Sequence, residues 1–318
     1  MNKIFIAIGS HLDLELRNTI LNCINRAKYP ENLVFSICLQ YDEKPGTNAN
    51  CIDDLVQQYD IHIDKYHYSV GEGGCWARQI TQQAYKGEKY SFQVDSHMRF
   101  IQDWDEILIN DYEDLKSKGV AKPLLSYCSP PYFRDDEREI DLNFKYDNEL
   151  DKMDVVKIRR IVNELWVEYG GYEHEVNTGF KNIKVPLLYG GFVFTEGNWV
   201  VEVEQDPEHY YTGEELALSI RSFTKGYDIY TPKQITTWHR NFSGHIAQCF
   251  KHWNIHGNEV GSRKHQHAVA RLRMLVFGGD LGKYGNGDVR TIEEFMEYSG
   301  IDFVNLKINE RDFLALSN

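Results

Sequence analysis

The sequence predicts an α/β fold: a Rossmann-like, mostly parallel central sheet flanked by helices. Two observations carry this expectation. Short apolar, β-branched runs alternate with stretches of helical period along the first hundred residues. The chain of 318 residues is also 42% hydrophobic and 26% charged, the balance of an ordinary globular protein able to bury a sizeable core.

Lys3 to Ser10 is an apolar run ending in Gly9-Ser10, and Leu14, Ile20, Leu21, Ile24 and Ala27 then recur at near-helical spacing, so strand, turn and helix are expected. Leu33 to Gln40 reads as a second buried strand, followed by a Pro45-Gly46 loop, and Ile61 to Tyr68 as a third. The glycine-rich Gly71-Glu72-Gly73-Gly74 opens a helix from Cys75 to Tyr85, and Tyr90 to Val94 is a strand that stops at Asp95. Ligands of such sheets bind beyond the carboxyl ends of the strands, and Asp95 sits at one such end.

From Ser126 to Val185 no clean period holds, and the expectation is an irregular excursion with a strand around Asn163 to Glu168. Leu187 to Thr195, with Gly190-Gly191 inside it, reads as a strand whose backbone something approaches closely. A helix follows from Gly213 to Arg221, with Glu214 and Glu215 in its first turn, where the helix dipole favours them. Gln234 to Trp238 is a further strand with His239 just after it, and beyond a His-rich stretch (His245, His252, His256, His265, His267) Ala268 to Phe277 is helical.

Acidic residues outnumber Lys and Arg 48 to 35, a net charge of −13 that disfavours polyanionic partners such as nucleic acid. No run of about 18 apolar residues and no signal-peptide pattern appears, so no membrane span and a cytoplasmic location are expected. Six scattered cysteines without a CxxC pair read as reduced, mostly buried thiols.

Asp95-Ser96-His97 offers a carboxylate and an imidazole two residues apart, which point to the same side of extended chain and can share one divalent cation. Mn²⁺ suits such a mixed site when it must also accept diphosphate oxygens, and a turn with a hydrogen-bonded histidine is the plainer reading of the tripeptide. His239 is a third candidate ligand, or a structural residue packed beside Trp238. Arg78 can hold a phosphate in two-pronged fashion, though a surface arginine would look the same. Glu214 and Glu215 can stabilise positive charge at a reacting sugar or hold an acceptor hydroxyl, or serve only as helix N-terminal charge. The His-rich stretch lacks partners at metal-ligand spacing and reads as a loop over a site or a solvated surface.

Several motifs in order strengthen these readings. Gly74-Cys75-Trp76-Ala77-Arg78, Gly87-Glu88-Lys89-Tyr90, Gln93 to Phe100 and Trp104-Asp105 are followed by Gly190-Gly191-Phe192-Val193-Phe194, Gly213-Glu214-Glu215 and Arg221. Thr224 to Asp228, Trp238-His239, Leu281 to Gly285 and Arg290-Thr291 complete the series. Together they resemble the N-acetylglucosaminyltransferases of glycosyltransferase family 60, which includes cytoplasmic enzymes modifying hydroxyproline on a ubiquitin-ligase adaptor. The polypeptide N-acetylgalactosaminyltransferases, which share an Asp-Ser-His metal motif, are more distantly similar.

The resemblance implies a GT-A glycosyltransferase fold, with a catalytic domain over residues 1–240 and a C-terminal extension over 241–318 packed on it. It implies Mn²⁺ or another divalent cation held by Asp95, His97 and His239. It places a UDP-sugar donor against Arg78 and the Gly190-Gly191 backbone, with Ile8, Gly9 and Ser10 bordering the uridine. It implies transfer with retained anomeric configuration, probed by Glu214 and Glu215 as residues that position sugar or acceptor, onto a hydroxyl of a protein, peptide or glycan. Where the family carries an Arg-Asp pair after the first strand this chain has Leu12-Asp13, which leaves the nucleotide contacts there open. Two other readings stay in play: transfer onto a modified nucleobase of viral DNA, using a local basic groove from Lys251 to Arg273, and a nucleotide-sugar-binding module without turnover.

Overall fold

The computed structural model describes residues 2–132, 150–162, 165–170, 175–211, 213–240 and 256–309. The first half alternates as the apolar periods require: β1 (Ile4–His11), α1 (Leu16–Arg26), β2 (Leu33–Tyr41), α2 (Asp53–Gln58), β3 (Ile61–His67), α3 (Gly74–Gln82) and β4 (Tyr90–Asp95). Then come β5 (Met98–Phe100), α4 (Trp104–Ser117), β6 (Pro123–Leu125), β7 (Pro131–Tyr132), β8 (Lys152–Asp154), β9 (Lys157–Val162), β10 (Trp166–Gly170) and β11 (Glu175–Asn177). The chain continues through β12 (Phe192–Glu196), α5 (Trp199–Glu202), α6 (Glu214–Thr224), β13 (Asp228–Tyr230), β14 (Thr237–Arg240), α7 (Asn258–Phe277) and α8 (Ile292–Ser299).

Seven strands form the central sheet in the order β3-β2-β1-β4-β12-β6-β13. Strands β1 to β4 pair in parallel, and β12 alone runs against its neighbours β4 and β6. The carboxyl ends of β1, β2 and β4 therefore share one edge, where His11 lies opposite Gln40 and Gly9 opposite Asp95. Burial on both faces explains the unbroken apolar runs: Phe5, Ile6 and Ile8 of β1 are all fully buried. One face packs on α1 and α4 through Ile20, Trp104 and Leu108, the other on α5 and α6 through Trp199 and Leu218. A further buried cluster joins α6 to the C-terminal helices through Ile220, Leu272 and Phe295. Helix α3 lies against β1 and β2, and Gly9 permits that approach, since a Cβ there would sit 3.2 Å from the Ala77 Cβ.

A second, smaller sheet of β5, β14 and β7 positions the site. Strand β14 begins at Thr237, later than the expected Gln234, so His239 lies inside the strand instead of after it. The buried Tyr127 hydroxyl accounts for the late start, accepting the backbone N–H of Thr236 at 3.0 Å and of Thr237 at 2.8 Å before the ladder takes over. Two other expectations shift. The strand read from Leu187 starts only at Phe192, because Tyr189 to Phe192 forms a turn closed by a 3.0 Å hydrogen bond from the Phe192 N–H to the Tyr189 carbonyl. The irregular middle is an antiparallel β9–β10 hairpin with a β8–β11 pair, so Asn163 to Glu168 straddles the connection, of which residues 163–164 lie outside the described ones. His245, His252 and Cys249 also fall outside the described residues, whereas His265 and His267 lie on α7. The five described cysteines are free thiols, and among the described residues no helix is long and apolar enough to cross a membrane.

Glu15, fully buried before α1, clamps this small sheet to the large one by pairing with Arg99 of β5 and, at 2.5 Å, with Arg240 of β14. Removing one member of a buried ion network leaves the others uncompensated, which costs about 3 kcal/mol or more. Glu15→Ala should therefore lower unfolding free energy by about that amount in equilibrium urea denaturation. A change below about 0.5 kcal/mol would show that the clamp is dispensable.

Candidate functional site

The strand β4 ends at Asp95, the chain bends through Ser96 and His97, and β5 leaves at Met98. Because β14 pairs with β5 in a register that sets His239 opposite Met98, residues 142 positions apart meet. The Nε2 atoms of His97 and His239 are 2.8 Å apart, and His239 Nε2 is 3.4 Å from Asp95 Oδ2. One ligand atom from each of the three lies within 4.8 Å of the other two, and among the described residues this is the only such group of three.

Asp13 completes the arrangement and was read from sequence only as a departure from a motif. Its Oδ2 accepts from His97 Nδ1 at 2.7 Å and from Ser96 Oγ at 2.5 Å, and its Oδ1 accepts the Glu15 N–H at 2.8 Å. A carboxylate on Nδ1 leaves the Nε2 lone pair of His97 facing the cluster, the usual support of a metal-binding imidazole. Burial opposes the charged form of His97, yet the hydrogen bond and charge of Asp13, with the charge of Asp95, lift it above the ordinary histidine range. Burial also opposes ionisation of Asp95, but the His239 hydrogen bond and the charges of Arg78, His239 and His97 hold its carboxyl well below the usual carboxylate range. One carboxylate and two imidazoles, with nitrogen and oxygen donors converging, fit a divalent cation such as Mn²⁺.

Arg78, on the first turns of α3, ties the cluster to α6. It donates to Asp95 Oδ1 at 2.8 Å and to Glu214. Its pKa is raised, because burial is outweighed by the charges of Glu214 and Asp95. Gly190 and Gly191 sit over this network: a Cβ on Gly190 would come 2.7 Å from Arg78 Nη1, and one on Gly191 would strike the Asp95 carboxylate and come 2.6 Å from Tyr189 Cε1. The Gln93 amide donates to the Gly190 carbonyl at 2.8 Å and fixes that backbone. Glu215 is pushed up to about 7, by burial first and then by the adjacent Glu214 charge, against the pull of Arg78.

Most of these groups line one cavity of about 340 Å³ at the carboxyl edge of the sheet, whose lining includes Gly191 but not Gly190. Of the residues singled out from sequence, Gly9, Arg78, Asp95, His97, Gly191, Glu214 and Glu215 line it, and His239 closes the ligand cluster beside it. Ile8 and Ser10 are fully buried and do not line it, because alternation along β1 turns them to the other face. The same alternation puts His11 in the cavity wall beside Gly9, joined by Gln40 from β2 and by Tyr189 and Tyr211. His11 and Gln40 were missed, although the rule that ligands sit beyond parallel strand ends, applied to β1 and β2, would have found them.

A mostly parallel sheet with an Asp-Ser-His turn at its carboxyl edge, opening on a cavity, is the arrangement of a GT-A glycosyltransferase. The sequence model of the glycosyltransferase (GlcNAc) family matches residues 51–305, and the chain belongs to that family. The solved structure of GalNAc-T7 with UDP, GalNAc and Mn²⁺ shares the fold, with a TM-score of 0.52 and 14% identity over 94% of this chain and 54% of that one. This chain thus spans about half the length of GalNAc-T7. S. aureus TarS in complex with UDP-GlcNAc is also similar, with a TM-score of 0.48 and 9% identity over 88% of this chain and 68% of that one. No curated protein sequence matches the chain.

Two measurements test the site. Asp13→Asn keeps the size of the side chain but removes the charge on His97 Nδ1, and should weaken Mn²⁺ affinity by about 10- to 100-fold in titration calorimetry; unchanged affinity would remove Asp13 from the site. For Glu215, the folded-state value of about 7 lies above the ordinary 4.5. The stability linked to its neutral form is therefore fully present below pH 4.5 and is lost as pH rises through about 7. In chelator-treated protein, Glu215→Gln should gain stability over the parent between about pH 5 and 8 in urea unfolding. A stability gap independent of pH would show that Glu215 ionises normally.

Proposed function

We propose that the chain transfers a sugar, N-acetylglucosamine, from a UDP-sugar to an acceptor hydroxyl with retention of anomeric configuration, using Mn²⁺. The observation that carries this reading is the convergence of Asp95, His97 and His239, ligand atoms within 4.8 Å of one another, beside a cavity of about 340 Å³ that Asp95 and His97 line. The family match supports the transfer of a sugar, and the motif series supports the family-60 type. The UDP, GalNAc and Mn²⁺ of GalNAc-T7 support the donor class and the cation.

In this reading Asp95, His97 and His239 hold the cation, which supplies positive charge to the diphosphate. Arg78 adds two parallel donors on the same side, exchanging part of its present pairing with Asp95 and Glu214 for phosphate oxygens. Gly9, His11 and Gln40 border the nucleoside, and Gly190-Gly191 let the sugar lie on bare backbone. The acceptor oxygen attacks the anomeric carbon from the face that the diphosphate leaves. The bond from that carbon to the diphosphate oxygen breaks as the new carbon–oxygen bond forms, and the acceptor proton passes to the departing phosphate oxygen. Glu214, paired with Arg78, and Glu215 hydrogen-bond sugar or acceptor hydroxyls and are not nucleophiles. The acceptor hydroxyl belongs to a protein, peptide or glycan, and the net charge of −13 gives nucleic acid no support.

A panel of UDP-sugars with Mn²⁺, read by UDP release, tests this. UDP-GlcNAc should be consumed, and Asp95→Ala, His97→Ala or chelation should each reduce the rate by at least about 100-fold. Proton NMR of the product should show an α-linkage. Turnover that survives loss of both Asp95 and His97, or a β-linked product, would overturn the reading.

A further inference from the structure

A second cavity, of about 510 Å³, lies next to the first and shares none of its lining residues. It opens between the glycine-rich turn before α3, the segment leading into α6, and the first turns of α7. Adjacent residues wall the two cavities: Glu72 lines the second and Gly73 the first, Tyr210 the second and Tyr211 the first. The Tyr210 and Tyr211 rings stand edge to face with centroids 5.1 Å apart, so this pair of rings divides the two cavities there.

Three features define what this cavity can hold. Trp76 and Tyr210 give it aromatic walls, and flat apolar rings are suited to the C–H faces of a ring ligand. Its lining carries both signs, Glu72 and Glu208 against Arg263 and Lys264, and is partly paired already: Lys264 with Glu72, and His267 Nε2 2.6 Å from Glu208. A neutral hydroxyl can donate to the carboxylates and accept from the basic side chains and brings no net charge to so balanced a wall. The third feature is an orphan. His209 lines the cavity with 3% of its surface exposed, yet its Nδ1 has no hydrogen-bond partner among the described residues, and the Asp206 carboxylate is 3.9 Å from the other ring nitrogen. Buried imidazole nitrogens without a partner are uncommon and mark a place where a ligand or water is received. Burial holds His209 below the ordinary histidine range, so the ring is neutral and offers one donor and one acceptor nitrogen to hydroxyls.

We infer that this second cavity is an acceptor subsite for carbohydrate, which receives a neutral sugar unit whose neighbouring unit presents the reacting hydroxyl across Tyr211 to the first cavity. The inference rests on the transferase reading for the word acceptor, while the carbohydrate site itself stands on the cavity alone. Mixed-sign rings and carboxylates around aromatic walls favour a glycan here over a peptide backbone, which would ask for a row of exposed main-chain partners.

Saturation-transfer NMR on the full chain, with UDP and Mn²⁺ present, would use neutral methyl disaccharides of glucose, galactose, mannose and N-acetylglucosamine. Short serine, threonine and hydroxyproline peptides would run alongside. At least one disaccharide should receive saturation, and Trp76→Ala should weaken it at least tenfold. His267→Ala, an exposed change that does not threaten the fold, should weaken it several-fold. UDP affinity measured by calorimetry on each variant reports whether the donor cavity is still formed. Binding by peptides alone, or disaccharide binding indifferent to both variants, would overturn the inference. Trp76-dependent disaccharide binding without any UDP-sugar turnover would uphold the sugar site and sink the transferase reading. Turnover without disaccharide binding would do the reverse.

Discussion

Two imidazole nitrogens 2.8 Å apart can hold at most one hydrogen between them, and neither faces bulk solvent freely. This forced approach of His97 and His239, with the Asp95 carboxylate beside them, is the constraint on which the rest of the architecture rests. Neither histidine could be held so by its own strand. His97 is fixed from behind by Asp13, and His239 by the ladder of β14 with β5, itself tied down by Glu15 through Arg99 and Arg240. Asp13 and Asp95 approach His97 from two sides, and their charges offset the burial that would otherwise disfavour positive charge there.

The opposite wall is organised by the reverse logic. Arg78 is buried between Asp95 and Glu214, and its positive charge keeps both carboxylates compatible with so close a packing. Its place on the first turns of α3, directly after a glycine-rich turn, adds the positive end of the helix to the same corner. The corner therefore sets the His97–His239 pair and an arginine side by side, bridged by the single Asp95 carboxylate, each of whose oxygens has its own partner. The glycines above it act by omission: any side chain at 190 or 191 would fill the space that lies over the arginine and the carboxylate.

Much of this was legible in the residues. Strand ends, glycine turns and apolar runs follow from local chemistry, so β1, β2, β3, α3 and β4 were recognisable within a few residues. Asp95, Arg78 and His97 could be singled out because they sit on those elements or directly after them. What sequence could not show was pairing at a distance. That His239 falls inside a strand depends on its pairing with Met98 of β5 and Pro131 of β7, both more than 100 residues away in sequence. Asp13 was passed over for the same reason, since its role is visible only once His97 is seen to lie against it. Ile8 and Ser10 illustrate the complementary error: a motif names a stretch of chain, but the pleat decides which alternate residues face the ligand.

Glu214 and Glu215 show how far neighbours in sequence can diverge in chemistry. Both open α6, where the helix dipole favours negative charge, and both line the cavity. Glu214 is ion-paired to Arg78, whereas Glu215, with that charge beside it and little solvent, is driven towards its neutral form near pH 7. One residue is then a fixed acceptor and the other can donate or accept, which lets a pair of carboxyl groups hold two hydroxyls of differing orientation without an added cation. The division follows from a single arginine reaching one carboxylate and not the other. An arginine placed between the Asp95 carboxylate and the start of α6 thereby sets the electrostatics of both walls of the cavity.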